Sequence, residues 1–430
     1  MKFEASGGIA LIAMAVVAMI WANSAGADSY FNLFLKTKVT VGFGDWALSK
    51  AFILWINDLL MALFFLLVGL EIKREVLRGE LNSLRKASVP IAAAIGGMLV
   101  PGILFAAINW GEPTIRGWGV PMATDIAFAL GVLALAGRRV PIALGVFLTT
   151  LAIVDDLGAL VIIAVFYTEQ IGLSYLGYAG LCLVALILLN VLGFRKPLPY
   201  LLIGVVLWYF VLKSGVHATI AGVVVALTIP SSTRVDQNLY LGFVRRMLDR
   251  FSGQIETLGP DATTPEQQSA VLAIEKAGKE VETPLRRLES ALLPWCAFLI
   301  LPVFALANAG VALDFGSEEA ALPMRVLLGV AVGLLIGKPI GVFAATWVCV
   351  KLGLGELPKG VGWRHIHGAA WLAGIGFTMA LFIANLGFSG DSAALDAAKL
   401  GVLGASVLAG IVGWGLLMTG PKIKHDDHHD

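Results

Sequence analysis

Asp155 and Asp156 stand side by side in the middle of PIALGVFLTTLAIVDDLGALVIIAVFY, Pro141 to Tyr167. That run is long enough to cross a bilayer, since about 20 apolar residues suffice at roughly 1.5 Å each. A carboxylate at such depth costs roughly 2.5–3.5 kcal/mol on insertion scales. Two of them, with Gly158 close behind, are most simply read as a place where a cation or a proton binds. Consecutive residues on a helix point about 100° apart, so one carboxylate can line an ion path while the other faces a partner. Two carboxylates so close titrate as a coupled unit. Protons and a hard cation then compete for one site.

The partner must be basic, and one base lies equally deep. Lys338, in Gly337-Lys338-Pro339, falls near the middle of an apolar run, too deep to snorkel easily. The carboxylates within its reach are Asp155, Asp156 and Asp125. Asp125 belongs to Gly119-Val120-Pro121-Met122-Ala123-Thr124-Asp125, a short segment that opens on Gly and Pro. Unwound backbone survives at membrane depth only where protein or a water-filled cavity satisfies it. Thr124 and Asp125 offer a hydroxyl and a negative charge to freed amide ends; the same dipeptide is also ordinary N-cap chemistry. Ala373-Gly374-Ile375-Gly376-Phe377-Thr378-Met379 is a second candidate for an interrupted helix. Glu71, Arg74 and Glu75 are spaced i, i+3, i+4 and share one face. They read as an ion-pair cluster at a helix end or as an acidic funnel for cations, and the spacing favours the first. Asp58 lies early in the same span.

The elements that carry these residues are membrane spans. The chain of 430 residues is 58% hydrophobic and 14% charged, which excludes an ordinary soluble domain. A net charge of +1 leaves no nucleic-acid footprint. A window scan predicts twelve apolar segments: Ser6–Trp21, Phe52–Leu70, Ser88–Asn109, Gly119–Ala136, Pro141–Tyr167, Ser174–Gly193, Leu198–Leu212, Ser214–Ile229, Ala291–Val311, Arg325–Val350, Ile366–Leu386 and Leu400–Met418. The first competes with a signal-peptide reading, since ANSAGA resembles a cleavage site, although Glu4 spoils a basic start. Lys73, Arg74, Arg78, Arg85, Lys86, Arg138, Arg139, Arg195, Lys196, Lys351, Lys359 and Arg364 collect on one side. The positive-inside rule makes that side cytoplasmic, and with twelve spans both termini lie there.

Between the spans, Phe34–Gly44 mixes β-branched, aromatic and polar residues and predicts a short outer β-hairpin or an irregular loop. An exposed edge there would pair with a second copy of the chain. Residues 231–290 form a polar cytoplasmic loop, flexible over Gly253–Pro265 and amphipathic-helical over Glu266–Glu282. Cys182, Cys296 and Cys349 are isolated in apolar runs and read as core residues, with neither disulfide nor metal spacing. Gly42-Phe43-Gly44-Asp45 matches the GxGD of intramembrane proteases by chance, because Asp45 sits in a turn-rich outer loop. The terminal His425–Asp430 reads as a frayed tail. Segments three to five and ten to twelve each have an interrupted middle member, the pattern of an inverted-repeat transporter.

Taken together, Asn57-Asp58…FFLLVGLEIKRE, PMATDIAFALGVLAL, LAIVDDLGAL, LKSGVHATIAG, LPWCAFLILPVFALANAG, LLIGKPIG and GIGFTMALFIANL resemble the NhaA-type sodium/proton antiporters of prokaryotic inner membranes. Inverted repeats and broken helices are features of that family. The resemblance implies an all-α polytopic membrane protein of about twelve helices, with two interrupted helices crossing near the midplane. Residues 1–430 are then one transporter unit. Its ion-binding core spans 88–167 and 325–419, and its interface part, which makes a homodimer, spans 1–87 and 174–311. No cofactor and no enzymatic reaction are implied. The partners are Na⁺, Li⁺, H⁺ and the lipid bilayer.

Carried over, Asp155 and Asp156 exchange Na⁺ or Li⁺ for protons, Thr124 and Asp125 lie at the break, and Lys338 pairs with Asp155. Glu71, Arg74, Glu75 and Glu289 match a cytoplasmic cluster associated with pH response. His217 matches the SGVHAT run, though a histidine satisfied within the bundle explains it equally. Ser290 and Leu293 depart from relatives that carry histidines there. The implied activity is electrogenic, pH-regulated export of Na⁺ in exchange for protons, serving sodium and pH homeostasis. The alternatives are an organic-anion carrier using Lys338 as counter-charge, an intramembrane protease and a channel. Nothing in the chain resembles a repeated selectivity filter.

Overall fold

The computed structural model describes residues 2–42, 47–168, 171–232, 240–249, 265–313 and 322–419. The core of the loop at Gly253, the Asp45 motif and the His425 tail lie outside them. In chain order the helices are α1 Lys2–Ala22, α2 Ala27–Lys36, α3 Phe52–Arg78, α4 Leu84–Ile108, α5 Ile126–Leu135, α6 Ile142–Phe166, α7 Leu173–Val191, α8 Pro197–Lys213, α9 Thr219–Thr228, α10 (240–249), α11 Pro265–Val281, α12 Pro284–Asn308, α13 Met324–Lys351, α14 Trp363–Ala373, α15 Phe377–Gly387 and α16 Ser392–Met418.

Among the described residues, seven helices are long and apolar enough to cross a membrane, or up to ten if each bent pair is one span. The expected twelve differ because α8 is short for the test and α9 has only ten residues. The expected first span, Ser6–Trp21, lies within the continuous α1; the chain turns only after it, residues 6–22 and α2 meeting at 118°. α7 shows which solvent these helices were selected for. Its most apolar window is only 11% buried, so a strongly hydrophobic face points outward, as it does toward lipid.

Close helix approach without a water-driven force needs small residues at the contact. α4 and α13 cross where a Cβ on Gly96 would lie 2.5 Å from Ala345 Cβ, and the facing Gly341 abuts the Gly96 carbonyl. α3 and α9 meet likewise, Gly69 against Val223 and Ala226. Buried side chains gather in two apolar clusters. The larger takes in α4, α5, α6 and α13–α16 with α1, α3 and α12; the smaller joins α3 to α7, α8 and α9. Three of the long helices carry a π-turn, at Ile56–Leu60, Cys296–Ile300 and Gly333–Gly337. Such bulges shift the face that following residues present, and the last ends directly before Lys338.

The hairpin exists but begins later than its composition indicated. β1 Lys38–Val41 pairs antiparallel with β2 Leu48–Ala51, Lys38 opposite Ala51. Asn32–Lys36 is helical instead, because Tyr30 and Phe34 bury their rings against each other and Trp21. The amphipathic helix expected over Glu266–Glu282 is α11. The cysteines are free; Cys296 and Cys349 are buried, whereas Cys182 on the outward-facing α7 is only partly so.

Candidate functional site

Two interrupted spans meet at the centre. A 3₁₀ stretch, Pro113–Met122, runs into three extended residues and then α5, bending by 43°. α14 and α15 are separated by Gly374, Ile375 and Gly376 and bend by 42°. Pro121 and the glycines explain both breaks, since neither can continue a helix cheaply. The breaks are stitched together by Asp125 N–H donating to the Ile375 carbonyl at 2.7 Å.

The freed helix ends at this crossing meet a carboxylate, an ammonium or a hydroxyl. Asp125 Oδ1 accepts from Phe128 N–H at 3.0 Å, capping α5. Its Oδ2 accepts from Thr378 N–H at 3.0 Å and Thr378 Oγ1 at 2.6 Å, in the first turn of α15. One carboxylate therefore caps two helix N-termini, where dipoles favour negative charge. The carbonyl ends are met oppositely. Lys338 Nζ donates to the Met122 carbonyl, and Thr124 Oγ1 donates to the Ala373 carbonyl at 2.9 Å. Asp125 is thus both the residue of a broken helix and an N-cap, so the two readings of Thr124-Asp125 describe one structure.

Asp155 and Asp156, on α6, face this crossing from beside it. Asp155 Oδ2 accepts from Lys338 Nζ at 2.5 Å and lies 2.7 Å from Thr124 Oγ1, whose single O–H is shared between this carboxylate and the Ala373 carbonyl. Of the three carboxylates considered for Lys338, Asp155 is the ion-pair partner. Lys338 has no exposed surface, and Asp155 and Asp156 are 1% and 2% exposed. Asp155 Oδ1 and Asp156 Oδ1 are buried without a hydrogen-bond partner, two of only four such side-chain atoms among the described residues. A buried carboxylate oxygen left without a partner calls for an explanation, such as a bound ion, a water or a chemical role. Gly158, one turn on, admits Met98 Sδ against the helix. Among the described residues no three His, Cys, Asp or Glu side chains gather as a metal cluster. A hard cation at the pair would therefore need hydroxyl and backbone oxygens as further ligands.

The other candidates make no hydrogen bond to this centre, although Glu71 is near enough for its charge to act on Asp156. Arg74 pairs with Glu75 at 3.0 Å and with Glu289 on α12. Glu75 Oε2 also accepts from Glu80 N–H. Arg74 and Glu75 line a cavity of about 560 Å³ with Arg78, Thr283 and Arg286, on the side carrying the basic loops. Glu71 lies one turn before Arg74 on the same helix. Asp58 pairs with Lys50 of β2 at 2.8 Å, at the opposite end of α3. His217 Nε2 meets the Tyr167 carbonyl at 2.9 Å, a histidine with a partner inside the bundle. Sequence reasoning found the second break but not the bond of Thr378 to Asp125, whose signal was a hydroxyl two residues after the paired glycines.

These features define the class: a polytopic membrane protein with two interrupted helices crossing beside buried carboxylates. A family model described as Na+/H+ antiporter 1 matches residues 1–417, and the chain belongs to that family. It is similar to the Na(+)/H(+) antiporter NhaA of Oleidesulfovibrio alaskensis, 53% identical over 96% of this chain and 91% of that protein. The protein of that name from Rhodospirillum rubrum is 48% identical over 96% and 94%, and that from Escherichia coli O1:K1 / APEC is 46% identical over 96% and 95%.

Proposed function

We propose that this protein is an electrogenic Na⁺(Li⁺)/H⁺ antiporter that exports Na⁺ from the cytoplasm in exchange for protons. The observation that carries the reading is the pair Asp155 and Asp156, both buried and each with an unpartnered oxygen. A Na⁺ or Li⁺ ion suits carboxylate and hydroxyl oxygens. It would bind at Asp156 with Asp155 and Thr124 at hand, displacing protons and loosening the Lys338 contact to Asp155. When protons return, the ion leaves and Lys338 re-forms its pair. Competition for one site, joined to alternating access, yields antiport without a cofactor.

The core, 88–167 and 325–419, would move against an interface part, 1–87 and 174–311, that forms a homodimer through the outer hairpin. Support for that division lies in the two matched breaks within the core and in the separate apolar cluster around α7 to α9. If more than one proton exchanges per ion, the cycle moves charge and responds to membrane potential. Glu71, Arg74, Glu75 and Glu289 would tune it with pH from the cytoplasmic face of the inner membrane, where both termini lie. The organic-anion alternative is weakened because Lys338 is already neutralised by Asp155.

Proton release from everted vesicles with an acidic interior tests the proposal, with Na⁺, Li⁺ or K⁺ added. Gradient collapse by Na⁺ or Li⁺ in wild type, and none with Asp156→Asn folded in the membrane, is expected. Full exchange by Asp156→Asn would sink the assignment.

A further inference from the structure

Three asparagines on three helices meet in the apolar interior, and none touches the ion site. Asn57 Nδ2 donates to Asn308 Oδ1 at 3.2 Å, and Asn308 Nδ2 donates back to Asn57 Oδ1 at 2.9 Å. Asn385 Nδ2 joins them, donating to Asn308 Oδ1 at 3.0 Å. Asn308 is fully buried and Asn57 is 9% exposed. Carboxamides at such depth are costly unless paired, and Leu would fill the space if packing were all that mattered.

The cluster has a direction. Asn57 opens α3 and Asn308 closes α12, whereas the other ends of both helices carry the Arg74–Glu289 pair. The asparagines therefore lie on the side opposite the basic loops. Between them and the crossing, Phe382 sits one turn before Asn385, its ring 5.9 Å from Phe65 and 6.3 Å from Phe304. An apolar cluster of rings and then a cluster of amides thus lie on the outward side of the crossing. The bonding is unequal: two hydrogen bonds tie α3 to α12, and a single one ties α12 to α15.

We propose that the Asn385–Asn308 hydrogen bond is an outer latch that opens in every exchange cycle, with Asn308 and Asn385 as positioning residues. This rests on the alternating-access reading, in which α15 moves while α3 and α12 stay together. With the latch closed, the site opens only toward the cytoplasm. Opening it separates Phe382 from Phe65 and Phe304 and lets the ion leave outward. The reciprocal Asn57–Asn308 pair stays intact throughout, holding the acceptor in place for re-closure.

Two cross-links test this in a background with Cys182, Cys296 and Cys349 replaced by alanine. Oxidised Asn308→Cys/Asn385→Cys should lose Na⁺-driven proton release from vesicles and regain it with reductant. Oxidised Asn57→Cys/Asn308→Cys should exchange at the rate of its own reduced form, so that the second cross-link by itself costs nothing. Should either double variant misfold, Asn385→Leu serves instead. Losing one interhelical hydrogen bond in a bundle is worth about threefold in the outward-open fraction. That is read as the rate at which an impermeant maleimide reaches Ala307→Cys from outside. Full exchange through the Asn308–Asn385 cross-link, inhibition by both cross-links, or unchanged labelling in Asn385→Leu would overturn the latch while wild-type exchange upheld the antiport reading. No Na⁺-driven proton movement in wild type would overturn both.

Discussion

Each polar group at the crossing is matched to the end of a helix, and this makes single-residue effects predictable. Lys338 holds Asp155 and the Met122 carbonyl together. Replacing it by Met leaves an uncompensated buried carboxylate, and breaking a buried pair from one side costs about 3–5 kcal/mol. Lys338→Met should therefore melt at clearly lower temperature in detergent, measured by scanning fluorimetry. Thr124→Val acts more locally. It removes a 2.7 Å donor to Asp155, and a hydrogen bond to a charged group is worth about 1.5 kcal/mol at the low end, roughly tenfold in affinity. The expected outcome is a raised apparent KM for Na⁺ in the vesicle assay with protein still in the membrane. An unchanged KM would show that Thr124 serves the backbone carbonyl of Ala373 alone.

Helices here are set by contacts too close for side chains. At the α4–α13 crossing, a Cβ on Gly96 would stand 2.5 Å from Ala345 Cβ, and overpacking of that kind costs about 1–3 kcal/mol. α13 carries Lys338, so pushing it away also displaces the ammonium from Asp155. Gly96→Ala should lower both thermal stability and exchange, while Gly180→Ala on α7, where nothing lies within 4 Å, should change neither. Equal effects of the two would refute the packing account. The interruptions were legible because Pro121, Gly374 and Gly376 are visible breakers in apolar runs. The π-turns were not legible, since Ile56–Leu60 and Gly333–Gly337 have unremarkable helical composition and are fixed by what packs around them.

For the whole molecule, β1 has no second strand partner among the described residues, and its Val41 is 56% exposed. Removing the hairpin touches no residue at the crossing. On the proposed dimer, replacing residues 38–51 by a short linker should leave only monomer in native mass spectrometry where the full chain gives a dimer, with Na⁺-dependent exchange retained. Loss of exchange on dissociation would instead make the second copy part of the transport unit. The proposed division into a moving and a fixed part belongs to this scale too, and the Asn385–Asn308 latch rests on it.

Hydropathy, charge bias and helix breakers are local properties, so the sequence by itself determined the membrane class, the deep Asp155, Asp156 and Lys338, the two interruptions and the family. The choice of partners was decided only in the tertiary structure. Lys338 lies 183 residues from Asp155 and Asn57 lies 251 from Asn308, and no periodicity along the chain encodes which of several deep carboxylates a lysine meets. The crossing angles of packed helices do so, through glycine contacts at Gly96 and Gly341. They place Asp125 at two helix ends and Asp155 beside the lysine, and leave one oxygen of Asp155 and one of Asp156 without a partner.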